Sequence, residues 1–200
     1  MADGFVIEEM FEAGDARILM GDGVTTVTMP TLTAIEAYIA DPVAGAIAGL
    51  VSLGDTKIDE TIQFEEDAAT YENRGTLQHR VLKETLTQAA VSRFTLNSMQ
   101  PRKGRIMELY YGGGTEGDGY FDAPAAADSK PIEVPCLIIF KDGLDVFPAF
   151  MPRVSVRRNG PITFPMDQFA EVPLAGTILE PETGTSTRWY SETFTAPVGG

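Results

Sequence analysis

The chain has 200 residues, 44% of them apolar, and a net charge of −14 from 29 acids and 15 bases. That length suits one all-β domain with a single core, and that charge excludes a sequence-independent grip on a phosphate backbone by the chain as a whole. The single cysteine, Cys136, excludes an internal disulfide framework and a multi-cysteine zinc site; it is expected to pack as a small hydrophobe in a protein that matures in a reducing compartment.

The N-terminal "MADGFVIEEMFEAGD" has neither a basic n-region nor an apolar h-region, so it does not read as a secretory signal. "ARILMGDGVTTVTMP" predicts two short strands, 16–20 and 24–29, joined through Gly21-Asp22-Gly23. The most membrane-like stretch, "PVAGAIAGLVSLG" at 42–54, is far short of the roughly 20 residues of a spanning helix and reads as a buried or loosely packed small-residue segment. "KIDETIQFEED" alternates, placing Ile58, Ile62 and Phe64 on one face and Asp59, Thr61, Gln63 and Glu65 on the other, as a half-buried strand with an acidic outer side does. Residues 77–96 offer two further extended segments, with a helical alternative for 77–90.

In "NSMQPRKGRIMELYYGGG" the apolar Ile106, Met107, Leu109 and Tyr110 fall at helical spacing, with a proline near the start and glycine at the end. This predicts one short helix at about 99–111. Arg102, Lys103 and Arg105 crowd its first turns, where the helix dipole disfavours positive charge, so an acidic partner is expected opposite them, in this subunit or another. Residues 112–131 are expected to form a long mobile surface loop. "VPCLIIF" at 134–140 predicts a strand covered on both faces, and Asp142-Gly143 a hairpin leading into "DVFPAFMP" and "RVSVRR". "ITFPM", "FAEVPLAGTIL" and "STRWYSETFTA" complete the chain. Prolines 148, 152, 165 and 173 mark edges, bends or bulges. Strands every 8–12 residues with one flanking helix indicate a mainly β fold, a sandwich or partial barrel of short antiparallel strands.

Charge is unevenly spread. Residues 1–72 hold 15 acids against Arg17 and Lys57, a net of −13, whereas 74–105 hold seven bases against Glu84, a net of +6. This is either a solvated face or a pair of complementary surfaces on a molecule that meets copies of itself.

No chemistry emerges from the motifs. Gly112, Gly114 and Gly117 match G-x-G-x-x-G, yet they close a helix, whereas a dinucleotide loop must open one. His79 has no nucleophile motif to serve. Glu8-Glu9, Asp59-Glu60 and Glu65-Glu66-Asp67 lack the order of a calcium loop. No catalytic, cofactor-binding or metal residues are therefore assigned. The lone Trp189 gives slight support to a carbohydrate-binding or hydrolytic β-sandwich.

The order of segments carries more. "AAVSRFTLNSMQP" runs into the glycine-ended helix "RIMELYYGGG", then a Gly/Ala loop, then "PCLIIFKDGLDVFPAFMPRVSV", and last "GPITFPMDQFAEVPLAGTILEPETGTSTRWY". Over about residues 54–190 this succession resembles the major tail tube proteins of long-tailed bacteriophages, particularly those infecting actinobacteria. The late phrase in which an apolar strand and Asp precede Pro-Leu-x-Gly-x-Ile-Leu is part of that likeness. The resemblance implies a structural virion protein of the tail, assembled in the host cytoplasm, with six copies per ring. Stacked rings would make a hollow tube through which DNA passes without specific binding, with tape measure, tail terminator and baseplate-type proteins as partners and no membrane. It implies lumen-facing acids, for which Asp59, Glu65 and Asp67 are the candidates, and inter-subunit bases, for which Arg102, Lys103 and Arg105 are the candidates. Residues 31–53 match less well and are expected to be an insertion, an arm or an inter-ring loop. A secretion-tube subunit or a head-tail structural protein shares the same logic.

Overall fold

The computed structural model describes residues 11–54, 56, 62–74, 83–143 and 145–194. Asp59, His79 and the acids at Glu8, Glu9 and Glu60 lie outside them. The elements in chain order are β1 (Asp15–Gly21), α1 (Leu32–Ala40), β2 (Leu50–Ser52), β3 (Gln63–Asp67), β4 (Thr70–Arg74), β5 (Lys83–Gln88) and β6 (Val91–Ser98). Then follow α2 (Gly104–Tyr111), β7 (Thr115–Gly117), β8 (Tyr120–Asp122), β9 (Ile132–Asp142), β10 (Asp145–Arg158), β11 (Val172–Ile178) and β12 (Arg188–Trp189).

The main sheet is antiparallel and open, in the order β2-β1-β9-β10-β11-β6-β3, with β12 added on β10. It does not close into a barrel. One face buries Ile18, Met20, Cys136, Ile138, Phe94, Leu96, Val154, Val156 and Leu174 against Ile106, Leu109 and Tyr110 of α2. The other face of β1, β9 and β10 is covered by α1, which brings Ile35 and Tyr38 onto Leu19, Leu137, Ile139 and Phe150. β9 is therefore sandwiched, as its continuous apolar run requires. Cys136 is fully buried there, and burial pushes its thiol pKa well above the ordinary range.

α1 is a second helix where only one is expected, and it lies in 31–53, the stretch expected to be an insertion, an arm or an inter-ring loop. Thr31 caps it, accepting from the Ala34 N–H at 3.3 Å. Ile35, Tyr38 and Ile39 give it one apolar face. Gly45 then returns the chain, its N–H on the Asp41 carbonyl, and Leu50–Ser52 pairs with β1. The predicted hairpin of 16–20 with 24–29 does not form. The Asp22 carboxylate takes the N–H groups of Val24 and Thr25 and the Thr25 hydroxyl, bending the chain out of the sheet. Those bonds favour the ionised carboxylate and lower its pKa. The strand that pairs with β1 on that side is β2.

The second helix begins later than predicted. Ser98 is buried within β6, opposite Val172, and its hydroxyl donates to the Leu53 carbonyl. The chain turns at Pro101 and helix starts at Gly104. Its end is as expected: Gly112 is left-handed (φ 69°, ψ 44°), and both Gly112 and Gly113 donate to the Glu108 carbonyl. The predicted loop 112–131 contains the β7–β8 hairpin and is tied at its neck by the Lys130 N–H on the Gly112 carbonyl. Met151–Val154 is a bulge, and Pro152 sits in it. Pro148 and Pro173 stand inside β10 and β11. Each accepts, from Tyr190 and Asn159 respectively, at a point where the neighbouring ladder stops, so the missing donor faces the end of a ladder.

The sheet depends on one close approach. Phe94 pairs across the ladder with Gly176, flanked by Phe64 on β3, and a Cβ on Gly176 would collide with the edge of the Phe94 ring. Glycine there lets the aromatic lie across the strand. Gly176→Ala should destabilise the chain by about 1–3 kcal/mol through overpacking. Denaturant unfolding of Gly176→Ala alone and with Phe94→Leu checks this: the smaller side chain should remove most of the alanine's cost, and two additive losses would count against it.

Candidate assembly surfaces

The bases at the start of α2 are divided in use. Arg102 is exposed. Lys103 is the N-cap residue and donates from Nζ to the Ser52 carbonyl at 3.2 Å. Arg105 is largely buried, its side chain 12% exposed, with Nη1 on Glu108 Oε2 at 2.6 Å and Nη2 on the Gly21 carbonyl. The acceptors opposite Lys103 and Arg105 are thus Glu108 and the carbonyls that end β1 and β2, all in the same chain. Gly23, at φ 80°, passes over the Arg105 guanidinium, where a side chain would crowd it.

Two of the three acids of β3 face away from the core. Phe64 points inward, and Glu65 and Asp67 lie on the opposite, exposed side. Register puts Glu65 opposite Arg93 on β6, and Arg93 also bridges Asp67 at 2.8 Å. The same row runs on through Thr177 and Ser155 to Glu133, which Arg153 bridges at 2.8 Å. This outer face is polar and holds both signs. Arg93 and Arg153 were not singled out from sequence. The signal for Arg93 was the strand period, since Arg93, Thr95 and Asn97 alternate with the apolar Phe94 and Leu96.

Several surfaces lack partners within the described chain. β4 and β5 form a separate two-stranded ribbon, and its cross-strand pair Tyr71 and Leu86 is 57% and 51% exposed. Two such strands are marginal in water without further packing. β2 and β3 are the open edges of the main sheet. Among the described residues no group of three or more metal-ligating side chains converges, and no helix is long and apolar enough to cross a membrane.

No curated protein matches the chain. The family model described as "Phage tail tube protein" matches residues 7–200, nearly the whole length. With the open antiparallel sheet, the helix stopped by Gly112 and the Gly176 contact behind the Pro-Leu-x-Gly phrase, that match is decisive: the chain belongs to the phage tail tube protein family, structural components of the virion tail.

Proposed function

We propose that the chain assembles into hexameric rings that stack into the hollow tail tube, a conduit for genome ejection, and that it is not an enzyme. The observation that carries this beyond family membership is the open sheet. Both edge strands and the β4–β5 ribbon leave backbone and apolar groups that another copy can satisfy. Tape measure, tail terminator and baseplate-type proteins are its neighbours in this reading. Assembly takes place in the host cytoplasm.

DNA must pass such a wall without sticking. Six copies at −14 carry −84 formal charges per ring, which repels a polyanion. The lumen-facing acids of this reading are Asp59, Glu65 and Asp67. Arg93 stands among them, so the wall at that row is a mixed polar surface with weak hold on phosphate. Like charge must also be compensated where copies meet. Arg102, Lys103 and Arg105 are the inter-subunit bases of this proposal. Arg102 leads them, because Lys103 and Arg105 already hold intrachain acceptors.

Negative-stain electron microscopy of the concentrated protein should show stacked rings with six-fold symmetry in end views. Isolated monomers, or rings of another order, would count against the reading. Arg102→Glu should leave unfolding within about 0.5 kcal/mol of wild type, as exposed substitutions do, while shortening or abolishing tubes. Arg105→Ala should instead lower stability, by about 1–3 kcal/mol, since it strips a buried carbonyl and Glu108 of their donor. Chemical denaturation of the unassembled chain separates the two: equal stability of Arg105→Ala and wild type would refute the intrachain role.

A further inference from the structure

The two ends of β10 carry exposed apolar patches of opposite charge. At its C-terminal end the chain leaves Arg158, makes the lobe 159–171 and returns as β11. The lobe is closed by the Thr163–Glu171 bridge and anchored by the Tyr110 hydroxyl on the Gly160 carbonyl at 2.7 Å. At its tip Phe164 and Phe169 are 69% and 74% exposed and Met166 is fully exposed. Beside it an open cavity of about 370 Å³ is rimmed by Lys130, Arg157 and Arg158 at the C-terminal end of α2. None of the ion pairs among the described residues uses these three cations. The lobe's own charges are Asp167 near its tip and Glu171 at its closure, so its positive charge is that of the three cations at its base.

At the N-terminal end of β10, Phe147 stacks on Trp189 (5.0 Å) and meets Phe11 (5.8 Å) and Phe194 (6.2 Å). Phe11, Trp189 and Phe194 remain 39%, 37% and 61% exposed. Glu12, Asp142, Asp145 and Glu192 lie within a few residues of these rings in chain or register, with the Glu12 N–H on the Asp142 carboxylate at 3.1 Å; Lys141 and Arg188 are the bases there, while Arg17 faces Asp15 at 3.9 Å. The 14 residues of β10 hold the two patches on the order of 40 Å apart, at roughly 3.3 Å per extended residue. One chain therefore cannot join its own patches.

We infer that these patches are the two halves of one head-to-tail contact: the apolar lobe of one copy, with Lys130, Arg157 and Arg158 at its base, docks on the acidic aromatic cluster of the next. The occupant is a second copy because the complementary charge is present on this same chain, far from the first patch. Exposed Phe and Met on one short loop are what the desolvated centre of an interface uses. Opposite charges around them set register and exclude the inverted pairing. A contact between two different patches is heterologous and propagates. The contact presupposes the stacked rings proposed above and names the surfaces through which they would stack.

The test uses the full chain and three variants whose folding is checked by thermal unfolding. Arg157→Glu with Arg158→Glu reverses the head, Asp145→Lys with Glu192→Lys reverses the tail, and Phe164→Ser with Phe169→Ser removes the apolar tip. Sedimentation velocity and electron microscopy should show at least a tenfold loss of tubes in each. An equimolar mixture of head- and tail-reversed chains pairs native head with native tail and reversed head with reversed tail, and should co-assemble into tubes of mixed composition that neither variant forms alone. Combining both reversals in one chain should restore tubes. Wild-type tubes with unimpaired variants, or no association in the mixture, would overturn the head-to-tail contact while leaving the tube reading intact. A wild-type chain that forms neither rings nor tubes would overturn both.

Discussion

The fold turns on a single row of side chains across five strands. Phe64, Phe94, Gly176, Val156 and Ile132 stand in register on the inner face. Phe94 is fully buried, and Phe64 meets it at 5.8 Å. The ring fits because the middle member has no side chain. Directly behind that row, by strand alternation, lie Glu65, Arg93, Thr177, Ser155 and Glu133. The aromatic contact inside thus fixes which polar groups are presented outside, since a slip of one residue would exchange the two rows.

Charge in this acidic chain is managed locally before it is available for anything larger. Arg93 and Arg153 neutralise the carboxylates beside them on the outer face, and Arg105 and Lys103 fasten α2 to the ends of β1 and β2. These are partly exposed pairs of modest individual worth, with Arg105 the exception because it is largely enclosed. The contrast between the acidic first third and the basic segment 74–105 is satisfied at least partly inside the molecule. Cations outside these pairs, among them Arg102, Lys130, Arg157 and Arg158, follow β6, precede β9 and close β10. Antiparallel order brings those strand termini to one end of the sheet.

The mainly β class, the sandwiched β9, the Asp142-Gly143 hairpin and the Gly112 cap were legible because each rests on local chemistry: alternation, turn preference and left-handed glycine. α1 was equally local, with a Thr31 cap, Ile35, Tyr38 and Ile39 on one face and Pro42 beyond its end, but the small-residue run that follows drew the whole segment into one class. The 16–20/24–29 hairpin failed because an Asx turn at Asp22 competes with a hairpin turn using the same glycines. Apart from Glu108, one turn along the helix from Arg105, the partners of Arg105 and Arg93 were not legible. A carbonyl 84 residues away and a cross-strand carboxylate depend on register, which no short window of sequence contains.

An open sheet is a hazard as well as an opportunity, because an unpaired edge accepts any strand. β3, the edge that follows Phe64, carries Glu65, Glu66 and Asp67 in succession. Three acids against the single Arg93 that bridges Asp67 leave net negative charge there, which disfavours a second copy of the same edge. They do not repel a strand that brings compensating cations. The edge is therefore closed to the nonspecific pairing that would aggregate a concentrated β protein and open to a partner of defined charge. That discrimination follows from the acids that flank one half-buried phenylalanine, Phe64.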